Sequence, residues 1–407
     1  MAKGNGKVVL LIMDGLGDRP VPAFFGKTPL EAARTPNLDA LARSGATGTM
    51  LSVSGIYPAS DVSHLSIFGY ALDKYYTGRG VFECAGIGMK MRKGDVALRA
   101  NFGTVDENNK IADRRAGRID SVSPFVRALN GMKVRGVKFI LKASVGHRAG
   151  LVMRGKGLSY RVSDADPHKA GVEVHGARAL DGSKEARFTA EVLNEFLELA
   201  HRKLSAHLLN KKRVKQGLPP ANYLLVRGAS VAQELPSFRK RYGLKACCIA
   251  GGGLYKGIAK VLGMDILHVK GATGKTGSNL EAKIGAAKKA LRNRDFVFVH
   301  FKGADLMGED GNCEGKKEYI EKADRAIAGL LGLKGTLVVV TADHSTPCLL
   351  KDHSSDPVPV LFHGAGIEHG GTPEFSERAC ANGELGHISG MELMPKIMQL
   401  LGGKIRG

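Results

Sequence analysis

Short apolar runs rich in β-branched residues alternate along this chain with segments whose apolar residues recur at helical spacing. That alternation predicts an α/β fold, a largely parallel sheet flanked by helices. Residues 8–13 read as a buried strand ending in Asp14-Gly15. Thr35-Pro36-Asn37 reads as a helix start, with Leu38, Leu41 and Ala42 on the apolar face. Toward the other end, 296–301, 337–341 and 358–362 read as buried strands. A helix over about 316–331 lies between the first two, and another over about 391–401 closes the chain. The middle carries a pattern of its own: strands over 136–143, 151–154, 223–227 and 246–250, and one long amphipathic helix over about 188–216. Val192, Phe196, Leu199, Ala200, Leu204 and Leu208 fall near one face of that helix. Gly78-Arg79-Gly80 and Gly271-Ala272-Thr273-Gly274 read as hinges. The expected organisation is a domain made of 1–77 and 271–407, interrupted by a second α/β domain over 78–270. A chain of 407 residues has room for two such cores.

Composition narrows the class. Hydrophobic residues make up 43% and charged residues 24%, as in an ordinary globular protein. The apolar run 8–13 is too short for a signal-peptide core or a membrane span, so the expected location is cytoplasmic, without membrane association. Cys84, Cys247, Cys248, Cys313, Cys348 and Cys380 lack metal-finger spacing and read as buried thiols. The net charge of +21 favours anionic partners. Its basic clusters, Lys211-Lys212-Arg213 and Arg239-Lys240-Arg241, are short and have no aromatics interleaved. They read as a solvated basic surface and argue against a nucleic-acid groove. A homo-oligomer is compatible with the sequence.

The chemistry is concentrated at the predicted strand ends, where open α/β sheets place their sites. Asp14 follows the first strand, Asp305 and Glu309 follow 296–301, Asp343-His344 follow 337–341, and His353 precedes 358–362. An Asp after a strand is by itself usually a turn or a helix cap. Their recurrence at successive strand ends, carboxylate and imidazole without thiolate, suits Mn²⁺, Zn²⁺ or a similar divalent ion. Ser60, in Tyr57-Pro58-Ala59-Ser60-Asp61-Val62-Ser63-His64, follows a proline turn and precedes helix formers. A serine there can sit at a helix N-terminus and be activated by a metal, or it can be an ordinary N-cap. Gly274-Lys275-Thr276 lacks the upstream glycine of a phosphate loop, and Gly251-Gly252-Gly253 lacks dinucleotide spacing.

The blocks LIMDGLGDRP, TPLEAARTPNLDALARSGATG, PASDVSHLSIFGY, YTGRGVFE, DRRAGRI, VTADHSTP and HSSDPVPVLFHG together resemble one family over essentially the whole chain. It is the archaeal-type, cofactor-independent phosphoglycerate mutases of the alkaline phosphatase superfamily. The resemblance implies an alkaline-phosphatase-like sheet and interconversion of 3-phosphoglycerate and 2-phosphoglycerate in glycolysis and gluconeogenesis. It also implies a phosphoserine intermediate and two divalent ions, Mn²⁺ foremost with Zn²⁺, Co²⁺ or Mg²⁺ as alternatives, and no 2,3-bisphosphoglycerate. By position, Ser60 matches the nucleophile, which also contacts a metal. Asp14, Asp343 and His344 match the ligands of the adjacent ion, and Asp305 and His353 match ligands of the second. Arg115, Arg118 and Arg227 are candidates for binding the substrate's carboxylate and phosphate, since arginine pairs with such groups bidentately. The inserted domain is expected to close over the substrate.

One position departs from the family pattern. The family has an imidazole where this chain has Glu309 in Asp305-Leu306-Met307-Gly308-Glu309. A carboxylate there still suits a hard divalent ion but adds negative charge. Two other readings therefore stand beside the mutase. One is a metal-dependent phosphatase or phosphonate-metabolite hydrolase using the same serine. The other is a non-catalytic anion- or nucleic-acid-binding protein, against which the intact set Asp14, Ser60, Asp343, His344 and His353 weighs.

Overall fold

The computed structural model describes residues 6–364, 366–367, 371–403 and 405. They form two compact units: Met1–Tyr76 with Leu235–Gly407, and Thr77–Glu234. Residues 235–270, expected in the insertion, therefore belong to the first unit. The reason is strand pairing: Ala246–Ile249 runs parallel to Phe296–Phe301, with Ala246 opposite Phe296. Gly271–Gly274 is accordingly not a hinge between units. It packs against the glycine run 251–253, where a Cβ on Gly251 would lie 2.0 Å from the Thr273 carbonyl oxygen.

The first unit is built on an eight-stranded sheet. Its order is Asp265–Ile266, Ala246–Ile249, Phe296–Phe301, Lys7–Met13, Thr336–Thr341, Val358–His363, Ala46–Leu51, His387–Ser389. Lys7–Met13 lies between two parallel neighbours, and all its residues after Lys7 are buried. That position explains an uninterrupted apolar run where a half-exposed strand would alternate. The sheet is not parallel throughout. Val358–His363 is antiparallel to both Thr336–Thr341 and Ala46–Leu51. The chain reaches it from the end of Thr336–Thr341 without a helix between, so it returns beside that strand in the opposite direction. The helix Pro36–Arg43 is capped from outside. The side chain of its N-cap Thr35 accepts no capping bond from the helix backbone, and the buried Asp324 carboxylate accepts from the backbone N–H groups of Asn37 and Leu38 at 3.1 and 2.8 Å.

In the second unit every strand pairing is antiparallel. Val96–Val105 pairs with Arg148–Arg154, Ile111–Asp113 and Tyr223–Val231, and Val137–Ala143 lies beyond Arg148–Arg154. The single helix predicted over 188–216 is two helices, Lys184–Ser205 and Leu208–Lys215. The break comes where Ala206 caps the end of one helix and His207 caps the start of the next, accepting at Nδ1 from the Leu209 N–H at 3.1 Å. Leu208, expected on the apolar face, is consequently 79% exposed. The packed face holds Val192, Leu193, Phe196, Leu197, Ala200 and Leu204, with Phe196 stacked on Phe139 at 3.8 Å.

Candidate metal centre and nucleophile

The ends of three adjacent strands of the first unit converge as their order requires. Asp14 follows Lys7–Met13, Asp305 sits in the short helix Gly303–Glu309 after Phe296–Phe301, and Asp343-His344 follow Thr336–Thr341. Backbone bonds fix these loops to one another. Asp305 N–H donates to Asp14 O at 2.9 Å, and Gly15 N–H donates to Asp343 Oδ1 at 3.2 Å. Gly15 has a left-handed φ of 65°, and a Cβ there would lie 2.6 Å from Asp305 Cα. Only glycine lets the two loops approach this closely.

Two groups of metal-type side chains result, Asp14 with Asp343 and His344, and Asp305 with His344 and His353. Within each, the ligand atoms lie within 4.8 Å of one another. All of these residues are buried except the half-buried His353. The first group passes a physical test for an ion. Asp14 Oδ1 and Asp343 Oδ2 are buried and accept no hydrogen bond. A buried carboxylate oxygen left so is costly unless a cation takes it up. In the second group, His353 Nε2 lies 3.3 Å from Asp305 Oδ1, and the His344 and His353 rings stack at 3.6 Å. Glu309 belongs to neither group. Its side chain is 49% exposed, with Oε1 3.9 Å from His353 Nε2, so it stands at the rim of the second group. Burial and the Asp305 carboxylate push its carboxyl upward.

Ser60 is the first residue of the helix Ser60–Ile67, whose N-cap is Ala59, so the serine is free of capping duty. Its Oγ lies 3.3 Å from His344 Nε2 and 3.5 Å from the Tyr255 hydroxyl. Burial pushes the His344 imidazole down, but the carboxylates of Asp343 and Asp14 outweigh it and lift it to about 9.

The sequence reading missed four neighbours. Lys302 Nζ lies 3.0 Å from Asp14 Oδ2 and also pairs with Asp305. Burial raises the Asp14 carboxyl, yet Lys302 above all holds it well below the usual range. Tyr255 donates from its hydroxyl to Asp14 Oδ2 and stacks on His300 at 3.5 Å. His64 Nδ1 lies 2.7 Å from Ser60 O, one turn back in its own helix, and 3.5 Å from Asp343 Oδ2. His300 Nε2 lies 3.1 Å from Asp14 Oδ2, and burial lowers that imidazole to about 4. Two signals were available: the four-residue spacing of Ser60 and His64, and the place of Lys302 directly after a buried strand. Tyr255 had none, because it follows the glycine run that lacks nucleotide-binding spacing.

The second unit holds a separate cationic cluster. Arg114 Nη2 donates to both Asp166 oxygens at 3.0 and 2.8 Å, and Arg227 Nη1 lies 3.9 Å from the same carboxylate. Arg79 and Arg99 share Glu83 Oε1 at 3.0 and 3.2 Å. Burial lowers Arg99 to about 9 despite Glu83, helped by the guanidiniums of Arg227, Arg79 and Arg148. Burial lowers His147 to about 4, helped by Arg148, Arg115 and Arg99. Arg227 and Arg115 thus lie in this field. Arg118 is exposed in left-handed backbone, with φ of 54°. Arg114, which was not singled out, is the member of its loop that the cluster holds.

The model of the Metalloenzyme superfamily matches residues 6–400. The chain is 46% identical over 404 residues to 2,3-bisphosphoglycerate-independent phosphoglycerate mutase 1 of Methanocaldococcus jannaschii, covering 98% of each. Among solved structures it is similar to the PH0037 protein from Pyrococcus horikoshii, at TM-score 0.85 and 36% identity over 99% of both chains. It is likewise similar to the cofactor-independent phosphoglycerate mutase from Thermoplasma acidophilum, at TM-score 0.73 and 38% identity over 98% of this chain and 100% of that one. With relatives of this similarity along its full length, the chain belongs to the Metalloenzyme superfamily and, within it, to the 2,3-bisphosphoglycerate-independent phosphoglycerate mutases.

Proposed function

We propose that this protein interconverts 3-phosphoglycerate and 2-phosphoglycerate through a phosphoserine at Ser60, with two divalent ions and without 2,3-bisphosphoglycerate. The observation that carries the proposal is the Ser60 hydroxyl beside His344, next to buried carboxylate oxygens that accept no hydrogen bond. Asp14, Asp343, His344 and Ser60 itself would hold one ion, and Asp305 and His353, with Glu309 at the rim, the other. The donors are oxygen and nitrogen, which suits Mn²⁺ above softer ions. Such ions, when bound, neutralise phosphate charge and lower the pKa of a serine hydroxyl.

The chain's own groups have distinct tasks. Ser60 Oγ gives up its proton and attacks phosphorus, the Oγ–P bond forms, the bond from phosphorus to the substrate oxygen breaks, and that oxygen takes up a proton. The other hydroxyl of the retained glycerate then attacks the same phosphorus, and Ser60 leaves with a proton restored. Lys302 places a buried cation between Asp14 and Asp305, where phosphate charge would gather. His64 and Tyr255 hold Asp343 and Asp14 in place. Arg227 and Arg115 of the second unit, in a cluster with more guanidiniums than carboxylates, are the candidates for binding carboxylate and phosphate groups.

A coupled assay with enolase tests this reading. Phosphoenolpyruvate should form from 3-phosphoglycerate without added bisphosphoglycerate, and the metal profile over Mn²⁺, Zn²⁺, Co²⁺ and Mg²⁺ should favour Mn²⁺. Release of inorganic phosphate without phosphoenolpyruvate would favour the phosphatase reading, to which the carboxylate at 309 lends its one specific support.

A further inference from the structure

We infer that Lys316 is a positioning residue of the metal centre, a fixed cation that sets the spacing of the loops bearing Asp14 and Asp343-His344. The inference rests on the metal reading above. Lys316 lies in the helix Cys313–Ile327, away from the ligands, and is fully buried. Its ammonium donates to Gly17 O at 3.0 Å, Thr346 O at 2.9 Å and Asp18 Oδ2 at 2.8 Å. Those three bonds use all the protons an ammonium has. Gly17 and Asp18 follow Asp14 in its loop, and Thr346 follows Asp343-His344 in theirs.

The clamp continues to the ligands. Thr346 N–H donates to Gly17 O at 3.0 Å, and Thr346 Oγ1 donates to Asp305 Oδ1 at 2.8 Å. Asp18 Oδ1 accepts from the Cys348 and Arg19 N–H groups at 3.2 and 2.8 Å. One ammonium therefore joins both loops and, through Thr346, reaches a carboxylate of the second group. Stability alone gives little reason for a buried Lys–Asp pair, since an apolar pair of similar volume is often as stable. An apolar side chain, however, could not hold two loop carbonyls at a fixed separation. Removing a partner that orients metal ligands typically lowers metal affinity 10–100-fold.

The test uses the full chain stripped of metal, with Mn²⁺ titrated in competition with a fluorescent chelator and folding followed by circular dichroism. Lys316→Met is expected to remain folded and to weaken Mn²⁺ binding roughly 10–100-fold, with Lys316→Arg intermediate. A purely structural lysine would lower the melting temperature and leave the affinity of the folded variant unchanged, which would overturn the inference. Should Lys316→Met fail to fold, Asp18→Asn carries the test, because it keeps the side-chain shape and removes the charge that holds the ammonium. Weakened Mn²⁺ binding in that variant supports the inference, and wild-type affinity overturns it. If the unaltered chain itself takes up no Mn²⁺, the metal reading fails and this inference falls with it, an outcome distinct from unchanged affinity in the variants alone.

Discussion

The Ser60 hydroxyl lies 3.3 Å from Nε2 of His344, although 284 positions separate the two residues in the chain. The serine begins a helix and the histidine lies at the start of the loop after a central strand. The contact exists because the helix Ser60–Ile67 is buried along its whole length in the same unit. Replacing Ser60 by alanine should abolish mutase activity, with a loss on the order of 10⁶-fold as for other serine nucleophiles. The methyl group leaves the buried helix intact, so the melting temperature should stay close to wild type. Turnover that survives at a measurable fraction in the coupled assay would assign the nucleophile elsewhere.

Metal removal should act on stability as well as on activity. Asp14, Asp305 and Asp343 are fully buried, and two of their oxygens accept no hydrogen bond. Chelation should therefore inactivate the enzyme and lower its melting temperature, and Mn²⁺ should restore both. At an ion concentration of 100 times Kd the stabilisation is about 2.7 kcal/mol. Calorimetry with and without Mn²⁺ checks this. Equal transitions in a preparation shown by elemental analysis to be metal-free would remove the ions from the account.

Glu309→His should move the metal profile toward Zn²⁺ or Co²⁺, because it exchanges an oxygen donor for nitrogen beside His353. The group around Ser60 keeps its ligands, so mutase activity should gain more than phosphatase activity. An unaltered profile together with an unaltered ratio of the two activities would place Glu309 outside the metal's reach, as its 49% exposure allows.

Lys283 gives a pH dependence away from the ligands. It is fully buried, and its ammonium donates to His300 O at 2.9 Å. Burial lowers it from 10.5 to about 8. Between those values the unfolded chain binds more protons than the folded one, so this group's penalty is complete below pH 8 and relieved as pH rises toward 10.5. A shift of that size corresponds to about 3 kcal/mol. The stability of Lys283→Met relative to wild type should fall by about that amount between pH 7 and pH 10.5. Urea denaturation of both proteins across the range measures it, and a constant difference would show that Lys283 stays charged in the folded state.

Much of the first unit was legible because its signals are local. A strand buried on both faces of a sheet must be largely apolar, so 8–13, 296–301 and 337–341 announced themselves. The polar residues at their ends stood out against that background. The weak places were those where a local pattern has two solutions. A helical periodicity running through 188–216 cannot reveal that His207 bonds forward to Leu209 and starts a second helix. Ala46–Leu51 and His387–Ser389 are edge-side strands with mixed residues, and nothing in their own pattern separates them from loops.

By itself the sequence determined the α/β class, the central strands, the helix that begins at Ser60 and the residues offered as metal ligands, because each depends on neighbours a few positions away. Only the tertiary structure decided that residues 235–270 join the first unit, since a strand's partner is chosen by pairing and not by its own composition. It also decided that Lys302 and Tyr255 meet the Asp14 carboxylate and that Lys316 joins the loops beyond it. Charge compensation in a buried site comes from whichever side chain the packing brings near, and no spacing along the chain records that distance.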